Sequence, residues 1–397
     1  MSKKTGGVVA LLGMCALSLF LVNCGSSSSR PAGLLYVLSQ AEDDVSSFAL
    51  DLSSGNLSFI NASVTTGGLP LSISLDPTGA TAFVLNQGSI TGYTIGSDGG
   101  LSPSSGGVTL GQTALAMTRD AAGAFLFVIS VPPVPSLADP PLISVFTTSP
   151  GSTTLTPTST FALTKVPTAL SVITVSSSSK TILFVTNNKD LQSNNDNSIS
   201  VYDVDSTGTL TESLASPYVT QVNPVSVLAV NTNPAGQATG GFFTYVGNQG
   251  ATAGGLSAFQ LCAIVNATCS QQDVDNDLLL PVGATQSIGQ NPVAMVVDPN
   301  NTFLFVACEG SNAVHGFRIT TSTGGLTVLS PATQPTGSMP VAMAIRSNKD
   351  LTAEFLYVSN NLSSNITGFS VGATTGAMSN PITVTFTPGA PAGMAAR

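Results

Sequence analysis

Residues 70–103 read PLSISLDPTGATAFVLNQGSITGYTIGSDGGLSP, and four β-strands are legible in them. PLSISL is the first. DPTG then turns the chain: Asp76 bonds local backbone, Pro77 fixes φ and Gly79 permits a positive φ. ATAFVLN is the second strand, ITGYTI alternates apolar residues with period two as the third, and SDGG turns into a short fourth beginning at Leu101.

The aromatic–valine pair inside the second strand recurs along the chain. It stands at Tyr36-Val37, Phe83-Val84, Phe127-Val128, Phe184-Val185, Tyr245-Val246, Phe305-Val306 and Tyr357-Val358, seven copies whose first and last are 321 residues apart over six intervals, or 53.5 each. Four-stranded units at a fixed period, without helical periodicity between them, predict an all-β, seven-bladed β-propeller. The ends of the chain predict how the ring closes. Residues 33–60 supply only the second to fourth strands of their unit, while PAGMAAR at 391–397 aligns with PVAMAIR at 340–346 and PVAMVVD at 292–298. The C-terminal strand should therefore complete the first blade. A solenoid, the rival architecture, would have capped ends and not a split repeat.

Composition agrees with this and narrows function. Only 8% of residues are charged, no Trp occurs, and 11 Lys+Arg face 20 Asp+Glu for a net charge of −9. Long charged helices are disfavoured, and with no basic run to neutralise phosphates a nucleic-acid partner is excluded. At the N-terminus Lys3 and Lys4 precede a fifteen-residue apolar run, Val8 to Val22, the length of a signal-peptide core and short for a membrane span. It ends in Leu21-Val22-Asn23-Cys24 followed by Gly25 and four serines, which resembles the processing site and tether of bacterial lipoproteins, with Asn23 where that pattern carries a small residue. The resemblance implies a signal peptide over 1–23, a lipidated Cys24 and flexible tether over 24–32, and a propeller over 33–397. It places the protein in the cell envelope, at the outer membrane, held by its lipid alone. In that oxidising compartment Cys262 and Cys269, close in sequence, are expected to pair, leaving Cys308 in the strand-like FLFVAC as a buried free thiol.

The repeat itself, a strand, a D-P-x-G turn, Y-V-x-N, a strand and T-G-x-L, resembles the YVTN-repeat and seven-bladed lactonase-like propellers over residues 33–397. Such propellers host sugar-lactone hydrolysis, including that of 6-phosphogluconolactone, as well as redox-cofactor and protein binding, so the resemblance implies fold more narrowly than function.

Any site should lie at the mouth of the ring, where the loops before each first strand and those between second and third strands meet. The second residue after each aromatic–valine pair is expected at that rim: Ser39, Asn86, Ser130, Asn187, Asn248, Cys308 and Asn360, several followed by a further amide or acid such as Gln249, Glu309 or Asn361. One reading makes Asn86, Asn187, Asn248, Glu309 and Asn360 a ligand-binding mouth; the other has the amides bonding their own loops. The favoured function on the sequence is a non-catalytic, monomeric binding or scaffolding module for a protein or glycan of the envelope. The alternative is a lactone hydrolase with Glu309 or a neighbouring mouth acid as its base.

Several residues argue against richer chemistry. The single histidine, His315, falls on a third strand and is expected to pack between blades, which leaves no second histidine for haem ligation; no cofactor is implied. Arg119, Arg346 and Arg397 fall at the ends of first strands on the face opposite the mouth, so only Lys165 and Lys189 are near it and a phosphorylated substrate is poorly served. The acidic stretches 273–277 (DVDND) and 187–198 lack the glycine and distal glutamate of a calcium loop, so no metal site is expected. The Pro-rich stretch 131–141 should form a stiff wall in the third blade's mouth loop.

Overall fold

A computed structural model describes residues 31–60, 63–175, 180–232, 241–250, 252–265, 268–348, 350–386 and 388–397. The leader 1–23 and Cys24 lie outside the described residues. Seven antiparallel sheets follow one another around a ring, each ordered from an innermost to an outermost strand. Blade 2, the unit quoted first above, comprises Pro70–Leu75, Thr81–Asn86, Ser89–Ile95 and Leu101–Pro103, as its alternation and turns predict. The innermost strands touch one another in sequence around the channel, and the circle is complete.

Ring closure is as expected. Pro391–Ala396 is the innermost strand of blade 1 and pairs antiparallel with Gly33–Ser39, Tyr36 opposite Ala395 and Val37 opposite Met394. Arg397 extends this seam, donating from Nη1 to the carbonyl of Gly79 at 2.6 Å and from Nη2 to that of Thr78 at 2.6 Å in the D-P-x-G turn of blade 2.

The seven aromatic–valine pairs are almost wholly buried because the second strand is flanked by its own blade on two edges and by a neighbouring blade on each face. Among the described residues the apolar side chains form seven clusters, one at each junction between adjacent blades. Buried tyrosines need a partner for their hydroxyls. Tyr36, Tyr245 and Tyr357 find it in the next blade, donating to the carbonyls of Gly99 (2.9 Å), Gly324 (2.9 Å) and Gly55 (2.6 Å). Those glycines occupy the turn before the fourth strand at positive φ, and a Cβ on Gly55 or Gly324 would collide with Phe355 or Phe243 of the preceding blade. The T-G-x-L element of the repeat is thus the receiving half of an inter-blade contact.

Three details depart from the sequence reading. A five-residue helix, Gln271–Asp275, interrupts the all-β chain within the Cys262–Cys269 insertion region. Ser270 caps it, accepting from the Asp273 N–H while the Asp273 carboxylate accepts from the Ser270 N–H, a reciprocal pair that local sequence supports. The fourth strands of blades 1, 2, 4 and 5 come in two pieces, a second short segment (Val64–Thr65, Val108–Thr109, Tyr218–Val219, Gln286–Ile288) also pairing with the third strand. Blade 4 has long inner strands, Lys165–Val175, Lys180–Asp190 and Asn195–Val204, so its second hairpin projects past the mouth.

The cysteines sort as the sequence implies. Cys262 and Cys269 are bonded, and Cys308 is free and buried, its thiol pushed up to about 12 by desolvation and therefore unreactive at neutral pH. Among the described residues no helix is long and apolar enough to cross a membrane.

Candidate functional site

At the mouth, the residue preceding the proline that opens an innermost strand takes a left-handed conformation in five blades: Leu69, Asn223, Asn291, Met339 and Ala390, with φ of 47°, 53°, 53°, 61° and 38°. Non-glycine residues adopt such angles only when their surroundings hold them there. Here each carbonyl accepts from the N–H of the residue that follows the second strand: Gln87, Gln249, Glu309, Asn361 and Gln40 respectively, at 2.8–3.1 Å. The recurrence in five blades marks this as architecture. It also brings two side chains, one before the innermost strand and one after the second strand, together at each blade's rim.

In blades 5 to 7 these rim pairs enclose a cleft of about 720 Å3. Blade 5 contributes Val222, Asn223 and Gln249, blade 6 contributes Gln290, Asn291, Glu309 and Asn312, and blade 7 contributes Met339 and Leu362. Asn291 Nδ2 donates to Glu309 Oε2 at 2.5 Å, which fixes one carboxylate oxygen and leaves the other to the cleft. Asn312 Oδ1 accepts from the Met339 N–H at 2.8 Å, so its Nδ2 hydrogens remain as donors. Asn188 donates to Asn223 (3.2 Å), and Asn223 donates in turn to Gln249. Val222 and Leu362 are largely exposed and give the amide floor an apolar lip. A smaller cavity of about 190 Å3 sits in the channel among blades 7, 1 and 2, bordered by Gln40, Met339 and Asn361.

Among the described residues no lysine or arginine lines the cleft. Lys165, expected near the mouth, is paired with Asp196. On the opposite face Arg119 packs beneath the blade 2 turn, 3.8 Å from Asp76 and 5.4 Å from the Phe83 ring centre, with Nη2 on the Gly123 carbonyl at 3.0 Å. Arg318 lies over Phe303 and donates to the Thr374 carbonyl at 2.6 Å, joining blade 6 to blade 7. Arg119 and Arg318 are therefore used at blade junctions.

The rim asparagines are placed otherwise than the ligand-binding reading requires. Asn86, Asn187, Asn248 and Asn360 are buried, and none lines the cleft. Each turns its amide to the third strand of its own blade: Asn86 to Ser89 (3.2 Å) and Thr91 (3.1 Å), Asn187 to Ser198 (3.3 Å) and Ser200 (3.1 Å), Asn248 to Ser257 (3.1 Å), Asn360 to Asn365 (2.7 Å) and Thr367 (2.9 Å). The amides are thus engaged mainly by third-strand groups of their own blade, where the sequence offered either a ligand or their own loops as partners. Of the five ligand-binding candidates Glu309 alone lines the cleft, joined by Gln249 of the expected rim; the partners Asn223, Asn291 and Asn312 went unread. For Asn223 and Asn291 the signal was the x-Pro step that opens five of the innermost strands.

His315, on the third strand of blade 6, accepts through Nε2 at 3.0 Å from the N–H of Gly289, which follows the last strand segment of blade 5; the Thr367 hydroxyl does the same for Gly337 in blade 7. Burial lowers its pKa, which keeps the accepting nitrogen unprotonated. The acidic stretches are occupied by the fold: Asp277 is buried against Lys180 at 2.6 Å, burial raising its pKa against that pairing, and Asp190 accepts from the Gln192 and Asn194 N–H groups in a tight turn. Among the described residues no three His, Cys, Asp or Glu side chains converge as metal ligands do.

The family model described as "Lactonase, 7-bladed beta-propeller" matches residues 241–345, a stretch that supplies Gln249, Gln290, Asn291, Glu309, Asn312 and Met339 of the cleft. No curated protein matches the sequence. Among solved structures, the periplasmic gluconolactonase of Pseudomonas aeruginosa superposes with a TM-score of 0.68 at 16% identity, over 91% of this chain and 98% of that one. A Lactobacillus plantarum protein gives 0.68 at 14% identity, over 92% and 99%. A Bacteroides fragilis protein provisionally assigned as a 6-phosphogluconolactonase gives 0.67 at 14% identity, over 92% and 98%. At such identities the likeness is one of fold. Blade count and ring closure make the chain a seven-bladed β-propeller, and over residues 241–345 it is similar to the lactonase family of such propellers.

Proposed function

We propose that the chain is a lactonase-type hydrolase acting on uncharged sugar lactones at the cleft of blades 5 to 7. The observation that carries this reading is Glu309, a carboxylate oriented by Asn291 in an amide-lined cleft without a cation. The lactonase model's match to the segment that builds this cleft, and a gluconolactonase among the structural neighbours, support it.

The chemistry follows from the donors present. Glu309 takes a proton from a water attacking the lactone carbonyl, the carbonyl oxygen gains negative charge, and amide donors such as Asn312 Nδ2 receive it. Collapse breaks the ring C–O bond, and the proton held by Glu309 passes to the departing ring oxygen, giving the open hydroxy acid. Neutral amides suit the hydroxyls of a sugar. A phosphate ester would need Arg or Lys partners, which the cleft lacks.

The test is hydrolysis of glucono-1,5-lactone, its 6-phosphate and an aromatic lactone by the purified protein, corrected for spontaneous opening. Turnover is expected with the uncharged sugar lactone, falling about a hundredfold or more in Glu309→Gln. Absence of turnover over the whole panel, or equal turnover by the variant, would overturn the proposal and return the mouth to a non-catalytic binding role.

A further inference from the structure

A second cavity, of about 940 Å3, lies between the outermost strand of blade 7 and the outer strands of blade 1, apart from the cleft. Phe48, Leu57, Phe59 and Val384 form apolar walls, Glu42 and Asp44 bring two carboxyl groups, and among the described residues no basic side chain lines it. Phe59 stands edge-on to Phe48 with ring centres 5.5 Å apart, yet is 53% exposed, an aromatic surface open to a ligand.

Asp44 breaks the pattern of the repeat. In register it stands opposite Ser39, where other blades pair Asn86 with Ser89, Asn187 with Ser198 and Asn360 with Asn365. In those blades the asparagine amide donates to the third-strand residue. In blade 1 the donor is missing: Ser39 replaces asparagine and gives its hydroxyl to the Gly389 carbonyl at 2.9 Å. Asp44 thus carries a carboxylate where the other blades have neutral groups, is only 8% exposed, and its Oδ1 is buried without a hydrogen-bond partner. Burial pushes its pKa up, partly offset by the Ser63 hydroxyl and reinforced by the charge of Glu42. An acceptor left unmatched beside apolar and aromatic walls is complementary to an N–H donor carrying positive charge.

We propose that the seam between blades 7 and 1 binds a small organic cation, its ammonium group held by Asp44 and Glu42 and its apolar body resting on Phe48, Leu57 and Phe59. The site is independent of lactone hydrolysis.

Calorimetric titration of the full-length protein with 2-phenylethylammonium, against neutral 2-phenylethanol, tests this. Saturable one-to-one binding of the cation is expected, with the alcohol about tenfold weaker or worse, and a comparable loss in Asp44→Asn. Phe59→Ala, at an exposed ring, should weaken binding several-fold without threatening the fold, and Glu309→Gln should leave it unchanged. Failure of the cation to saturate, equal binding of the alcohol, or undiminished binding in Asp44→Asn or Phe59→Ala would overturn the assignment.

Discussion

Replacing Glu354 by glutamine should make the protein's stability less dependent on pH. Glu354 opens the second strand of blade 7, Glu354–Asn360, where Thr302 stands in blade 6; it is 1% exposed, and both carboxyl oxygens lack a hydrogen-bond partner. Burial, reinforced by the charge of Asp298 in the blade 6 turn, raises its pKa from 4.5 to about 7. The folded protein therefore holds this proton more tightly than the unfolded chain, so the contribution of Glu354 to stability is fully present below pH 4.5 and is lost as pH rises to about 7. A shift of that size corresponds to about 3 kcal/mol at most, and relaxation around the carboxylate reduces it to about 1–3 kcal/mol. With an unfolding entropy of about 2.1 cal/mol/K per residue, that energy moves the melting temperature of a chain of this length by about 1–4 °C. The assay is thermal unfolding of both proteins at pH 5 and pH 8. The difference Tm(Glu354→Gln) minus Tm(wild type) should grow by about 1–4 °C between the two, the double difference cancelling whatever the amide itself costs. A difference that stays constant with pH would refute the reasoning.

Other outcomes follow from the same geometry. Asn360→Ala removes donors to Asn365 and Thr367 and should destabilise by about 1–3 kcal/mol in chemical unfolding, while lactone turnover by the folded fraction stays at the wild-type value. Loss of turnover there would return the asparagine to the site. Arg397→Ala removes the two bonds between the closing strand and the blade 2 turn and should cost about 1–2 kcal/mol, with amides of Pro391–Ala396 exchanging faster than those of the other innermost strands. Uniform exchange around the ring would mean that the seam is no weaker than a covalently continuous blade.

The site was legible in part, and for a definable reason. Glu309 could be placed at the rim because its position relative to Phe305-Val306 follows from the repeat. The companions Asn223, Asn291 and Met339 were not, since they sit in lead-in loops whose left-handed φ values depend on carbonyl bonds to the following second strand. The hydrogen-bond role of His315 was not legible for a similar reason: its place on a third strand says which face it occupies, and only the Gly289 N–H says what it does there.

By itself the sequence determined the blades, their number and their closure. These rest on local physics, namely period-two alternation, turn residues that permit the required φ values, and a split repeat whose two halves can be satisfied only by pairing. Tertiary structure alone decided which polar groups face solvent. Asn187 and Asn291 are the same residue type at neighbouring heights of the ring, yet one is sealed against Ser198 and Ser200 while the other orients Glu309 in an open cleft. Residue type sets what an amide can bond, and the donors and acceptors that the folded blade brings within reach of it settle what it does bond.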